Sequence, residues 1–396
     1  MKISQKALAC NLSPMRKFHP FAVAATNNGK KIYHLNIGQP DIATPPAYFE
    51  AVRNFELPVL EYAPSPGLPV LIKAVQDYYD KLGIHYEESD ILITTEALQM
   101  LMLSILDDGS EVIIPEPFYP NYNTFIKSAG GTIRPLTTSP EGGYRYAFRE
   151  KLEALINENT RAIMFTNPGN PTGVVLTHEE LRTIADVAKE HNLFVIGDEV
   201  YREFVYGGEQ LATIGQFEDI NENAVIIDSV SKRFSACGAR IGTIITRNKE
   251  LQQNLMKFCQ ARLSVATLDQ IASAALYSVD SDYFDAVRKE YKLRRDTCYN
   301  KLLEIPGVVV KEPQGAFYMM AALPVDNADT FQKWLLTDFD DNGDTVMFAP
   351  GEGFYATPGK GLNEIRIAYV LKQKDLERAM DLLALGIKKY NETHCK

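Results

Sequence analysis

The sequence predicts an α/β protein: a three-layer, mostly parallel sheet with helices on both faces, followed by a smaller α+β domain. Three observations predict it. Short apolar runs recur at 91–95, 111–114, 161–165, 192–196 and 224–227, each the length of a fully buried strand. Segments with helical spacing of apolar residues lie between them, and strands alternating with helices imply parallel pairing under helical layers. Beyond about residue 283 the pattern changes to one long helical stretch, three strand-like runs and a final amphipathic helix. Residues 1–45 are expected to form an N-terminal arm and part of the small domain. Residues 46–285 are expected to form the large domain with the ligand site, and 286–396 the small C-terminal domain.

Taken in order, 31–36 reads as a short strand that ends in the turn Ile37-Gly38-Gln39-Pro40. Gly38 is either a plain turn glycine or a place where a ligand carboxylate can approach the backbone. The loop holding Tyr62, Pro64, Pro66 and Gly67 opens a helix that runs to about Tyr79. Leu71, Ala74, Val75 and Tyr78 fall at helical spacing. Tyr62 itself either packs within the loop or faces a ligand. The run at 91–95 passes directly into a helix at Glu96. The run at 111–114 ends in a proline-rich aromatic loop, where Tyr119 either packs or stacks on a flat heterocycle. Thr177 and Glu180 form a capping box for a helix whose Leu181, Ile184, Ala185 and Ala188 share one face.

In sheets of this kind ligands bind outside the carboxyl ends of the strands. Thr95, Tyr119, Asn170, Asp198, Tyr201, Ser229 and Lys232 all lie just past such an end. In the second unit 307–310, 315–320 and 364–370 read as strands. Alternation puts Ile365, Ile367 and Tyr369 on one face and Arg366 on the other. The last helix carries Leu376, Ala379, Met380, Leu383 and Ile387 at amphipathic spacing.

Composition narrows the function classes. A net charge of -10 argues against nucleic acid or an anionic membrane as partner. The first residues lack the apolar core of a signal peptide, and no run approaches the ~18 apolar residues a membrane helix needs. The five cysteines include no CxxC and the six histidines no HExxH, so neither a disulfide framework nor a metal site is expected. A reduced, cytoplasmic setting is the expectation.

The most informative stretch is Ser229-Val230-Ser231-Lys232, with Gly238-Ala239-Arg240-Ile241-Gly242 shortly after it. A lysine amine can form an imine with a carbonyl. Hydroxyls and a fixed arginine suit an anionic phosphate. An aldehyde that also carries a phosphate is pyridoxal 5'-phosphate (PLP). The alternative is a loop with a surface lysine and an ordinary ion pair.

Asn170-Pro171-Thr172-Gly173, then Asp198 with Tyr201, then Ser229, Ser231 and Lys232 with Arg240, follow one another along the chain. In these motifs, their order and their spacing the chain resembles the class I aminotransferases, PLP enzymes of fold type I, over nearly its whole length. The resemblance implies that Lys232 forms the Schiff base and later moves the α-proton. It implies that Asp198 pairs with the pyridine nitrogen, keeping the ring an electron sink. Asn170 and Tyr201 would hydrogen-bond the ring hydroxylate and Tyr119 would stack on the ring. Ser229 and Arg240 would hold the phosphate, with Ser231 and Thr95 also among the cofactor's surroundings. Tyr62 would reach the phosphate of a neighbouring subunit, which implies a homodimer with active sites at the subunit interface. Arg366 would fork onto the substrate α-carboxylate, with Gly38 and Asn170 beside it.

One stretch departs from the family. Its members usually cup the phosphate with a small or Gly-rich turn before the helix that follows 91–95. Here Thr95 runs straight into Glu96, about three residues short. Either the turn is truly absent, or a three-residue turn belongs between Thr95 and Glu96. The matches on both sides favour the second reading, which expects the two Cα atoms to lie clearly beyond the roughly 3.8 Å of a trans peptide.

The expected reaction is transamination of an α-amino acid, aspartate first, with a 2-oxo acid such as 2-oxoglutarate. Arg262 is either the reader of a side-chain carboxylate or a structural arginine. Aromatic or aliphatic substrates stay open, as does a PLP-dependent carbon–sulfur lyase or aminocyclopropane carboxylate synthase on the same scaffold. A regulator's sensing domain is disfavoured, because residues 1–30 are too short and too weakly basic for a DNA-binding module.

Overall fold

The computed structural model describes all residues except Leu57, Glu209, Gln210, Cys395 and Lys396. Its strands are β1 (Lys31–His34), β2 (Ile91–Thr94), β3 (Glu111–Glu116), β4 (Thr132–Thr137), β5 (Thr160–Thr166), β6 (Phe194–Asp198) and β7 (Ala224–Ser229). They continue with β8 (Gly242–Ile245), β9 (Val309–Val310), β10 (Tyr318–Ala322), β11 (Asp344–Met347), β12 (Ala349–Pro350) and β13 (Glu364–Ala368).

The central sheet has seven strands in the order β2-β8-β7-β6-β5-β3-β4. Its pairings are parallel except those of β8, which runs antiparallel to both β2 and β7. The five apolar runs became β2, β3, β5, β6 and β7. The other two strands have no such signature. β4 carries Pro135, which cannot donate to a ladder, and it sits at the sheet edge where that is tolerated. β8 starts two residues past Arg240, inside a stretch that reads as a site loop.

Both faces of this sheet are buried. Ile93, Ile113, Ile163, Val195 and Ile226 pack into one core, while Leu92, Val112, Met164, Ile196 and Val225 pack into the other. The period of two along each strand therefore feeds two cores, and each fully buried aliphatic side chain contributes about 1.5–3 kcal/mol. The helix His178–Glu190 starts as expected. Thr177 Oγ1 accepts from the Glu180 amide at 3.2 Å and Glu180 Oε2 from the Thr177 amide at 2.8 Å. Its Leu181, Ile184, Ala185 and Ala188 are buried. In the helix Pro69–Lys81 the buried face is shifted. Leu71, Ile72, Val75 and Tyr79 face the core, whereas Ala74 and Tyr78 are only half-buried.

The second unit holds an antiparallel sheet, β12-β13-β10-β9, and a parallel pair, β1-β11. The run at 315–320 becomes a strand only from Tyr318. Ala316 adopts a left-handed φ of 55° and its amide bonds Phe204 O at 2.8 Å, so the chain turns there to meet the larger unit. Leu376, Ala379, Met380, Leu383 and Ile387 of the helix Gln373–His394 are buried in the same core as Ile365 and Ile367. Tyr33 and Leu35 share that core, and so do Tyr201, Phe204 and Tyr206 from the larger unit. This aromatic seam, with Tyr201 and Phe204 edge-on to Phe317 at 5.2 and 5.1 Å, fixes the two units around a cleft. Among the described residues no helix is long and apolar enough to cross a membrane.

Candidate active site

A cleft of about 560 Å³ opens at the carboxyl ends of the central strands. Lys232 reaches it because of two local devices. Ser229 ends β7 and caps the one-turn helix Val230–Arg233, its hydroxyl accepting from the Ser231 amide at 2.9 Å. The next side chain, Arg233, turns the other way to pair with buried Asp228 at 2.5 Å and to lie over the Tyr78 ring. With its neighbour anchored behind the sheet, Lys232 faces the cleft, where Nζ donates to Gly38 O at 3.1 Å. Arg240 also lines the cleft, held in a left-handed φ of 58° that costs a non-glycine residue energy. Its Nη1 donates to Cys237 O at 2.9 Å.

Asp198 ends β6 and is only 6% exposed. Burial pushes its carboxyl up to about 6, against the opposing effects of hydrogen bonds from Tyr122 Oη at 2.6 Å and the Val200 amide at 3.4 Å. Among the described residues no cation pairs with it within ion-pair distance. Asn170 Nδ2 donates to Tyr201 Oη at 3.3 Å, and Tyr201 Oη meets Tyr318 Oη at 3.1 Å. Burial holds the Tyr201 phenol well above its usual range.

Arg366, 3% exposed, stands on β13 opposite Met320 and Ala349. Its guanidinium lies between the rings of Tyr318 and Phe354, 4.5 and 5.0 Å from their centroids. Nη1 donates to Asn170 Oδ1 at 3.2 Å and Nη2 to Asn36 O at 2.6 Å, while Nε is buried without a partner. Burial lowers its pKa, yet a guanidinium remains charged at any working pH. Tyr119, Thr95 and Ser231 line the same cleft. Tyr119 accepts from Asn121 Nδ2 at 2.7 Å and stands edge-on to Tyr122.

Four expectations need correction or qualification. Arg262 does not line the cleft: Nη1 donates to Thr94 Oγ1 at 2.6 Å and lies 3.6 Å from Glu96, so it braces the end of β2. No break separates Thr95 from Glu96. β2 ends at Thr94 and the next helix starts at Ala97, so two residues close the turn, with the Glu96 amide on Thr94 Oγ1 at 3.2 Å. At Gly38 the space is taken, because a Cβ there would fall 1.8 Å from Tyr318 Oη. The glycine admits a tyrosine, and its carbonyl receives Lys232. Tyr62 is 80% exposed and does not line its own chain's cleft.

Sequence reasoning missed Tyr122, Tyr318 and Arg16. Tyr122 holds Asp198 from 76 positions away, and Tyr318 meets Tyr201 from 117. No local pattern announces contacts of that span. Arg16 lies in a proline-started turn, Pro14–Arg16, on the cleft wall, where it makes no ion pair among the described residues.

Comparison with known proteins agrees with this geometry. The family model for aminotransferase class I and II matches residues 30–383. An aspartate aminotransferase of Bacillus subtilis (strain 168) is 30% identical over 407 aligned positions, covering 100% of both chains. An aromatic-amino-acid aminotransferase 2 of Thermococcus litoralis is 30% identical, covering 98% of this chain and 99% of its own. An alanine aminotransferase structure from Pyrococcus furiosus superposes with a TM-score of 0.89 at 30% identity, covering 98% and 100% of the two chains. A cleft combining a lysine amine, a buried carboxyl and a buried guanidinium thus stands in a chain matched to this family along nearly its whole length, and the protein belongs to the class I and II aminotransferases.

Proposed function

We propose that this protein is a PLP-dependent aminotransferase that passes the amino group of aspartate to a 2-oxo acid such as 2-oxoglutarate, as a cytoplasmic homodimer. The observation that carries the reading is the convergence of Lys232, Asp198 and Arg366 on one cleft. The residues fit the cofactor. Asp198 is a buried carboxyl that makes no direct ion pair among the described residues, so a protonated ring nitrogen would find it free to pair. Ser229, Ser231 and Arg240 supply hydroxyls and a guanidinium for a phosphate. Bound there, PLP would supply an aldehyde that condenses with amines and a ring that accepts electrons.

The chain's own groups then divide the work. Lys232 would hold the cofactor by its amine and would take and return the proton at the substrate α-carbon through Nζ. Asn170 and Tyr201 would hydrogen-bond the ring hydroxyl, and Tyr119 would pack on the ring. Arg366 orients the substrate by its α-carboxylate. Arg366→Lys replaces a rigid fork with a point charge, so the KM for amino acids is expected to rise at least about tenfold. Steady-state kinetics check this, and an unchanged KM would place the carboxylate elsewhere.

The aspartate preference rests on the relatives and on Arg16, the lining cation left without another task. Arg16→Ala is expected to lower kcat/KM for aspartate about tenfold more than for alanine or phenylalanine. Arg262→Ala is expected to depress all of them alike. The reverse pattern would make Arg262 the reader after all. The half-buried aromatic Phe125 also lines the cleft, which favours aromatic amino acids as the second reading. The domain division near residues 45 and 285 belongs to this proposal, supported by the shared core of Tyr33, Leu35 and residues of 287–390. So does the dimer, in which exposed Tyr62 would enter the neighbouring subunit's site.

A further inference from the structure

Residues 35–44 cross from the small sheet to the larger unit, and Asn36, Ile37 and Gly38 of this segment line the cleft. One end is fixed in the smaller unit. The Leu35 amide donates to Met347 O at 2.7 Å, and Leu35 O accepts from the Ala368 amide at 2.8 Å. The other end is fixed beside Lys232, where Thr44 Oγ1 donates to Ser235 O at 2.7 Å. Between these ends, among the described residues, no backbone group of 36–43 bonds another backbone group. Side chains from elsewhere in the chain hold the segment instead.

Arg366 Nη2 donates to Asn36 O at 2.6 Å and Lys232 Nζ to Gly38 O at 3.1 Å, with Tyr318 Oη at 3.4 Å from that same carbonyl. A further hold comes from Arg294, a buried arginine on the helix Ser281–Leu303. Its fork takes the Asp41 carboxylate, Nη1 to Oδ1 at 2.6 Å and Nη2 to Oδ2 at 3.3 Å. Nη1 also donates to Val370 O at 2.6 Å, just past β13, and Nε to Glu290 Oε1 at 2.7 Å. The Tyr291 ring lies 5.0 Å from this guanidinium. One buried cation thus ties the crossing segment to the end of the strand that carries Arg366. The other holds are less constant. A lysine amine engaged in chemistry leaves Gly38 O, and the Tyr318 contact is long for a hydroxyl hydrogen bond. Asp41 is then a charged, two-point anchor for the stretch that places Asn36 O against Arg366.

We propose that Asp41 and Arg294 are positioning residues for amino-acid binding: the pair holds residues 36–41 so that Asn36 O fixes the Arg366 guanidinium for the substrate α-carboxylate. The proposal rests on the assignment of that carboxylate to Arg366. Steady-state kinetics of the cofactor-loaded enzyme test it in the wild type, Asp41→Ala, Arg366→Lys and the double variant, each with the best amino-acid substrate. The Asp41 side chain is 36% exposed, and Arg294 keeps Glu290 and Val370 O without it, so Asp41→Ala should fold. A thermal melt checks this, and Asp41→Ser takes its place if it does not. Asp41→Ala is expected to raise KM at least about fivefold with kcat within about twofold of the wild type. In the Arg366→Lys background the same change is expected to move KM less than about twofold, because residues acting through one another are not additive. An unchanged KM in Asp41→Ala would overturn the proposal, as would a fall in kcat at constant KM or the same rise in both backgrounds. An unchanged KM in Arg366→Lys alone would remove the carboxylate assignment, and the proposal with it.

Discussion

Lys232→Ala is expected to abolish turnover, by four or more powers of ten, at about 1.4 kcal/mol for each. Both of its proposed tasks, holding the cofactor and moving the α-proton, depend on one amine, and the other cations of the cleft cannot substitute. Arg240 and Arg366 do not lose their protons in the working range, and neither lies on the one-turn helix that presents Lys232. The fold should be indifferent to the change, because among the described residues Nζ makes only a bond to Gly38 O and a long contact to Cys237 Sγ. The variant should therefore unfold within a few degrees of the wild type and still take up PLP reversibly. Cofactor titration and a thermal melt check both points. Normal activity in this variant would contradict the reading of the whole cleft.

Asp198→Ala is expected to cost two to four powers of ten in kcat, and Asp198→Asn nearly as much. The pair separates charge from shape. Asparagine keeps the volume and can still accept from Tyr122, as Asp198 does at 2.6 Å, but it cannot hold a proton on a ring nitrogen. Burial lifts this carboxyl to about 6 although the Lys232 charge pulls the other way, so the site gains from receiving a cation in direct contact. If Asp198→Asn retains activity within tenfold, charge at this position is not what drives the reaction.

Much of this arrangement was legible because it is local. The apolar runs of the five core strands and the capping box at Thr177 need only a few neighbouring residues to act. The candidate residues follow strand ends directly, so once the strands were placed, Asn170, Asp198, Ser229 and Lys232 had to share one edge. What stayed hidden depends on partners far along the chain. Arg262 has the chemistry of a substrate reader, and only packing shows that it spends its donors on Thr94 and Ile93. Gly38 has the freedom to admit a ligand, and only the position of Tyr318 shows what fills the space. The turn at Thr95 and Glu96 closes with two residues because the strand end and helix start lie close together. β4 escaped notice because its Pro135 contradicts a central strand and its edge position was not visible.

The central claim is that this cleft performs an amino-transfer half-reaction with aspartate. The most direct test mixes the PLP-loaded enzyme with each amino acid in the absence of any 2-oxo acid and follows the absorbance of the bound cofactor. Aspartate is expected to discharge it fastest, with about one equivalent of 2-oxo acid released per site, and 2-oxoglutarate is expected to restore it. Silence with every amino acid, or continuous release of pyruvate and ammonia without an acceptor, would contradict the account.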